Sequence, residues 1–492
     1  MTAMDAAFFH MESLRNFGHI GSVVILDPET SRGRLTIEDV RSLVESRLHL
    51  LPPFRRRVVE VPFGLDQPYW AEDSEFDLDF HVRHIALPPP GTDQQLADQV
   101  TRIAARHLDR TRPLWELYLI EGLEGGRVAL QSKIHHAAID GVSGAEVLTT
   151  LLDLEPDPPP TPPPEQAWQP DEIPSDMELV RRGFRTLSSQ PLKLVRLELQ
   201  ILAELRERGI SGLRANARAF GLPDPAALPV VGRLFGSVDE GRTWRSVLST
   251  PTIQAPRTSF NRAISSHRRW AFGSISLDDV KLVKNAAGVT VNDVVMTLCG
   301  AALRRWLIDH DELPEAPLLA MVPVSVRTEA QRGALGNQVS AMIASLATNE
   351  ADPRRRLEAA HAGMAIAKEQ HRAIPAELLQ DFTQFAAPAV AARAARLLAQ
   401  FRILESVLLP FNVVISNIPG PSFPLYFAGA KMLASFPVST IADGIGINVT
   451  VMSYQGHLDF GLIADRQLVP DVANLVGYLA DALDELKAAY LP

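Results

Sequence analysis

At 492 residues the chain exceeds one ordinary core, and about 100–200 residues per domain implies two or more domains. Hydrophobic residues make up 46% and charged residues 22%, the balance of a soluble globular protein, and a net charge of −10 lacks the basic surplus of a nucleic-acid binder. The single cysteine, Cys299, excludes a disulfide framework and points to a reducing, cytoplasmic setting. In chain order, the opening MTAMDAAFFHMES has no basic segment ahead of its short apolar patch, so it is not read as a secretory signal. Apolar periodicity predicts strands at residues 19–26, 55–62, 80–86 and 114–122, and helices at 36–51 and 92–107. Strands alternating with helices predict an α/β fold with mixed sheets. A two-residue alternation over 127–134 predicts a further strand, and Ser143 with Glu146 has the spacing of a capping box before a helix. Seven prolines between Pro156 and Pro164 form a stiff connector. Residues 177–220 then hold nine Lys or Arg against four Glu, interleaved with leucines, a pattern for a linker helix or a surface that meets anionic lipid. Past residue 260, strands are expected at 268–277, 318–326, 340–347 and 411–416, with helices at 294–307, 354–371 and 472–486. Residues 445–454 and 458–463 form a hairpin with Gly456 in its turn. Residues 374–411, rich in Ala, Leu and Phe, suit buried helices or a lipid-facing surface. No apolar run approaches the roughly eighteen residues needed to span a bilayer.

The chemistry concentrates in Gln131–Gly141, QSKIHHAAIDG. Consecutive strand residues point to opposite faces, so His135 and His136 cannot both aim at one atom; one is the reagent and the other its support. Imidazole is the side chain best suited to take a proton from an alcohol or amine near neutral pH. Asp140 fixes the geometry of the turn, and Gly141 permits a backbone angle other residues resist. A metal site is not expected, because H-H-x-x-x-D lacks a third convergent ligand. A serine hydrolase is disfavoured, because the segment from Gly141 to Ala145 misses G-x-S-x-G at its last position. Cys299, within an apolar run, is a core residue.

His135, His136, Asp140 and Gly141 together form HHxxxDG, which resembles the signature of the condensing acyltransferase superfamily. Pro113-Leu114-Trp115 resembles the PLW motif of the bacterial wax ester synthase/diacylglycerol acyltransferases, and Asn292-Asp293 their ND motif. The likeness extends over nearly the whole chain and is least specific in the proline-rich linker and at 177–249. It implies two chloramphenicol-acetyltransferase-like domains, at 1–155 and 260–492, joined by a proline-rich and basic connector at 156–259, with a tunnel between them. It further implies that acyl-CoA and a hydroxyl lipid, diacylglycerol or a fatty alcohol, are the substrates, that His136 is the general base, and that neither a cofactor nor an acyl-enzyme is needed. By the same resemblance His135 orients the loop, Trp115 packs against the acceptor channel, Asp293 caps a helix and anchors the two domains, and Asn292 or backbone N–H groups near Gly141 meet the oxyanion. The expected location is cytoplasmic, peripheral on the inner face of the membrane or on lipid droplets. Two alternatives share the motif: a peptide-synthesis condensation enzyme and a lipid-surface protein without turnover.

Overall fold

A helix, α1 (Ala3–Met11), leads into β1 (His19–Asp27), α2 (Ile37–Arg47), the small hairpin of β2 (Arg56–Val59) and β3 (Tyr69–Glu72), one turn of helix α3 (Leu78–His81) and β4 (Val82–Ala86). Helix α4 (Asp93–Ala104) then precedes β5 (Trp115–Glu121) and β6 (Val128–His135). The second half contains β7 (Arg268–Ser276), α5 (Leu277–Ala287), α6 (Val291–Asp309), β8 (Leu319–Ser325), β9 (Val339–Ser345) and α7 (Pro353–Arg372). It ends with β10 (Val413–Ile418), β11 (Tyr426–Phe427), β12 (Ala430–Val438), β13 (Ile447–Tyr454), β14 (His457–Asp465) and α8 (Ala473–Tyr490). This computed structural model describes residues 1, 3–31, 34–139, 147, 150–186, 255–325, 339–372 and 410–491. Most of the basic stretch, the Ala/Leu/Phe-rich segment and the start of the helix expected after Gly141 lie outside the described residues.

Local sequence explains the helix starts. Thr36 with Asp39, Thr92 with Gln95 and Thr290 with Asp293 each close a reciprocal capping box, which satisfies backbone N–H groups left over by the first turn. Helix α4 places Leu96, Val100 and Ile103 on one stripe, packed with Val23, Ile25, Tyr118 and Ile120 of the first sheet. Helix α6 is apolar nearly all round and is correspondingly buried, with Cys299 2% exposed in its core. Among the described residues no single helix is long and apolar enough to cross a membrane.

Two mixed sheets of six strands organise the rest. Their orders are β11-β12-β1-β6-β5-β4 and β7-β14-β13-β10-β8-β9. β4 runs parallel to β5, and β10 runs parallel to both β13 and β8; the other pairings are antiparallel. A division of the chain at residues 155 and 260 misses one exchange. β11 and β12 belong by sequence to the second half, yet β12 pairs with β1 from Gly21↔Val438 to Asp27↔Lys431 and completes the first sheet.

That exchanged strand locks the halves together. The Trp270 indole N–H donates to the Pro437 carbonyl at 3.1 Å, and the buried Asp459 carboxylate accepts from the Ser435 N–H at 2.9 Å. Gly461 of β14 sits against β12 so tightly that a Cβ there would lie 1.8 Å from the Pro437 carbonyl oxygen. Because the obstacle is backbone, Gly461→Ala is expected to lower stability by at least about 1–3 kcal/mol. Gly456→Ala, where the turn has φ +83 but open space around it, serves as the comparison and should lose only about 1–2 kcal/mol of left-handed strain. Denaturant unfolding of both proteins checks this, and a Gly461→Ala chain as stable as wild type would contradict the close seam.

Candidate active site

Strand β6 sorts its residues onto two faces. Leu130 and Ile134 join the α2 side of the first sheet, whereas Ala129 joins the α4 side, which places Gln131, Lys133 and His135 on that side as well. His135 is the last strand residue and only 1% exposed. Its backbone N–H donates to the Leu114 carbonyl at 2.9 Å, so the Pro113-Leu114-Trp115 segment braces the end of the histidine strand. The chain then turns, with the Ala138 N–H donating to the His135 carbonyl at 2.9 Å.

The turn separates the two histidines. His136 donates its backbone N–H to the Gly18 carbonyl at 2.7 Å, is half-buried, and lies flat against Phe8 of α1 with ring centroids 4.1 Å apart. His135 instead accepts the Ala137 N–H at its Nδ1, 3.0 Å away. Burial pushes the His135 imidazole down to about 4, against the opposing pull of Glu12, so it is neutral at physiological pH. A neutral imidazole that accepts at Nδ1 has its proton on Nε2. Asp140 and Gly141, the rest of the signature, lie outside the described residues.

Trp115 is 1% exposed. Its indole N–H donates to the Phe54 carbonyl at 2.8 Å, and its ring is stacked between Phe54 and His81 at 4.2 and 4.5 Å. It forms part of the wall of an apolar cavity of about 90 Å³ between the two halves, lined from one side by Ile20, Ile134 and Ile139 and from the other by Ile418 and Met452. The hydroxyl groups of Ser22 and Ser132, 3.2 Å apart, interrupt this wall. Ile134 and Ile139 flank the histidines in sequence, so the cavity ends close to the turn that presents His136.

The second motif is placed differently. Asp293 is fully buried, and its Oδ2 accepts from the Thr290 N–H at 2.9 Å, the Thr290 hydroxyl at 2.8 Å and His361 Nδ1 at 2.8 Å. Burial acts to raise its carboxyl, but the hydrogen bonds from Thr290 and His361 prevail and hold it below the usual range. All of these partners lie in the second half, on α6 or α7 or at the start of α6. Asp293 is therefore a cap that fixes α6 to α7, and its described contacts do not join the two halves as the sequence led us to expect. Asn292 accepts from the Asn417 side chain at 3.4 Å, and no described contact brings it to the histidines.

Two neighbours of the histidines have no signature spacing in the sequence. Phe8 stacks on His136, and the Glu12 side chain, 2% exposed, lies 3.8 Å from His135 Nε2. Among the described residues no group of three or more His, Cys, Asp or Glu side chains could hold a metal ion.

Residues 1–295 match the wax ester synthase/diacylglycerol acyltransferase catalytic domain, and residues 335–487 match the C-terminal domain of the same proteins. The chain belongs to the wax ester synthase/diacylglycerol acyltransferase family. Within the family it is 34% identical to a putative diacylglycerol O-acyltransferase of Mycobacterium tuberculosis, over 99% of this chain and 89% of that one. It is 32% identical to the O-acyltransferase WSD of Acinetobacter baylyi, over 98% and 95%. The solved wax ester synthase/diacylglycerol acyltransferase of Marinobacter aquaeolei VT8 superposes with a TM-score of 0.66 at 29% identity, covering 99% of this chain and 98% of that one. A condensation domain of the calcium-dependent antibiotic synthetase, at 16% identity and a TM-score of 0.56 over 99% and 95%, shares the fold. The mixed α/β architecture expected from the family likeness is thus the one observed.

Proposed function

We propose that this acyltransferase moves a long-chain acyl group from acyl-CoA to a lipid hydroxyl, with His136 as the general base. The observation that carries this reading is the division of labour at the end of β6. His135 is sealed in and neutral, while His136 is turned out of the strand, half-buried, between two residues that line the apolar cavity. The hydroxyl oxygen attacks the thioester carbonyl as His136 takes its proton. The tetrahedral intermediate then collapses with loss of CoA thiolate, which recovers that proton from the imidazolium. No acyl-enzyme forms. Donors fixed toward the oxyanion are worth roughly 3–4 kcal/mol each to such a step.

Acceptor choice follows from the cavity. At about 90 Å³ it is well below the roughly 300 Å³ of a preformed ligand pocket, so a long chain needs more room than this cavity alone encloses. The serine pair offers a hydrogen-bonding point in a largely apolar wall, which favours an acceptor with an ester oxygen, diacylglycerol, over a bare fatty alcohol. A water-insoluble acceptor in turn supports a cytoplasmic enzyme working peripherally at the inner membrane face or a lipid-droplet surface. Leu14 and Phe63, 84% and 79% exposed, supply apolar side chains for such contact.

The test is purified protein with labelled long-chain acyl-CoA and either diacylglycerol or hexadecanol, with products separated by thin-layer chromatography. Ester formation with stoichiometric release of free CoA, and triacylglycerol exceeding wax ester, is the expected result. Free fatty acid without ester would replace the transferase reading with a thioesterase.

A further inference from the structure

We infer that Glu12 is a positioning residue for the histidine pair, holding the turn that presents His136 and placing a fixed negative charge behind it. Four contacts define the arrangement. Glu12 Oε1 accepts the Gly18 N–H at 3.2 Å, and the Gly18 carbonyl in turn accepts the His136 N–H, so the carboxylate is two hydrogen bonds from the His136 backbone. Glu12 Oε2 accepts from Arg110 Nε and Nη2 at 3.1 and 2.7 Å. His107 Nδ1 lies 3.4 Å from Oε1. Finally, Oε1 faces His135 Nε2 at 3.8 Å, too far for a direct hydrogen bond but close enough for the charge to act.

The consequence for His135 is its tautomer. A carboxylate beside Nε2 favours the form with the proton there, which leaves Nδ1 to accept the Ala137 N–H and close the turn. Gly18 has no room for anything else. A Cβ at residue 18 would lie 2.4 Å from His135 Nε2, so the imidazole takes the space a side chain would need. Glu12 itself stays ionised. Burial opposes its charge, but His107, His135 and Arg110 outweigh burial and hold its carboxyl far below the usual range.

The effect on His136 is electrostatic as well as geometric. The two histidines repel each other's protonated forms, and among the described residues the charged or titratable groups around them are Glu12 beyond α1, Arg110 and His107 after α4, His19 on β1 and Lys133 on β6. Glu12 supplies a buried negative charge at the pair, opposite the Arg110 guanidinium and the Lys133 ammonium. When His136 takes the substrate proton, Glu12 stabilises the imidazolium and Arg110 opposes it.

This proposal rests on His136 being the base, and its test separates the two ideas. Glu12→Gln retains shape but removes charge. It should lower kcat by roughly 10- to 100-fold with KM little changed, the loss seen when the carboxylate behind a metal-bound histidine is removed. The acid limb of kcat/KM should move to lower pH, because a less stabilised imidazolium loses its proton more easily. Arg110→Gln should move that limb to higher pH. Profiles are recorded from about pH 5 to 8, where imidazole titrates. Circular dichroism at each pH guards against unfolding, since buried neutral His135 makes the fold less stable as pH falls below its ordinary value toward 4. Imidazole 15N NMR of the wild type should show His135 protonated at Nε2, with that population reduced in Glu12→Gln. Acid limbs that stay in place in both folded variants, or that move in the same direction, overturn the proposal. If His136→Ala keeps wild-type turnover, the base is another group and the reading of His136 fails instead.

Discussion

Replacing His136 with alanine is expected to lower kcat/KM by about 100- to 10,000-fold while leaving the protein folded. The size follows from the role of a general base, which acts only as the hydroxyl proton departs, so the loss should appear in kcat with KM nearly unchanged. The tolerance of the fold follows from the surroundings of the side chain. His136 is half-buried, and its described ring contact is a stack against Phe8, worth roughly 0.5–1.5 kcal/mol. His135→Ala should behave in the opposite way. It removes a side chain that is 1% exposed and leaves the Ala137 N–H without its acceptor, about 1–3 kcal/mol for the unmet donor before the cavity is counted. Steady-state kinetics and thermal melts of the two variants therefore separate reagent from support. An active His136→Ala enzyme, or a His135→Ala enzyme that is inactive yet as stable as wild type, would reverse the roles argued from the turn.

Elements with a local cause were legible from sequence. The β6 alternation, the caps at Thr36 and Thr290 and the β13–β14 hairpin with Gly456 at φ +83 are each written within a few residues. The strand β12 was not, because its partner β1 lies some four hundred residues away and its own pattern is broken by Pro437. Helix α1 was missed for a related reason. Its sequence, AMDAAFFHM, is a short apolar patch with little periodic signal, and it is held instead by Phe9 packing with Val58, Leu114 and Ala137. At the site, the histidines were legible because a spaced motif marks them, and so was the difference in their directions. Glu12 has no such mark. Its importance arises from Gly18, His107, Arg110 and His135 converging on one carboxylate, three of which lie far from it in sequence.

The layer beneath the histidines leads to the largest stability change. On the α4 face of β6, Lys133 is 2% exposed and its ammonium lies 3.4 Å from Glu116 Oε2, its only ion partner among the described residues. Glu116 is better supplied, because Arg83 approaches within 3.3 Å and the Tyr118 hydroxyl donates to it at 2.8 Å. The pair is thus asymmetric. Glu116→Leu strands a buried ammonium and should destabilise by about 3–5 kcal/mol, whereas Lys133→Met leaves a carboxylate that retains two partners and should cost less. The double variant should recover most of the Glu116→Leu deficit, since well-packed apolar residues replace a buried ion pair with little net loss. The pH dependence has a definite sign. Burial lowers Lys133 from its ordinary value, with Glu116 opposing, and loss of Glu116 lowers it further. A base depressed in the folded state carries its penalty at low pH and sheds it as pH rises toward the unfolded value, so the Glu116→Leu deficit should shrink above neutrality. A double-mutant cycle by denaturant unfolding at two pH values reads both effects. Additive, pH-independent losses would mean that Lys133 is solvated in the protein, and the face that seats His135 would then be wetter than its packing indicates.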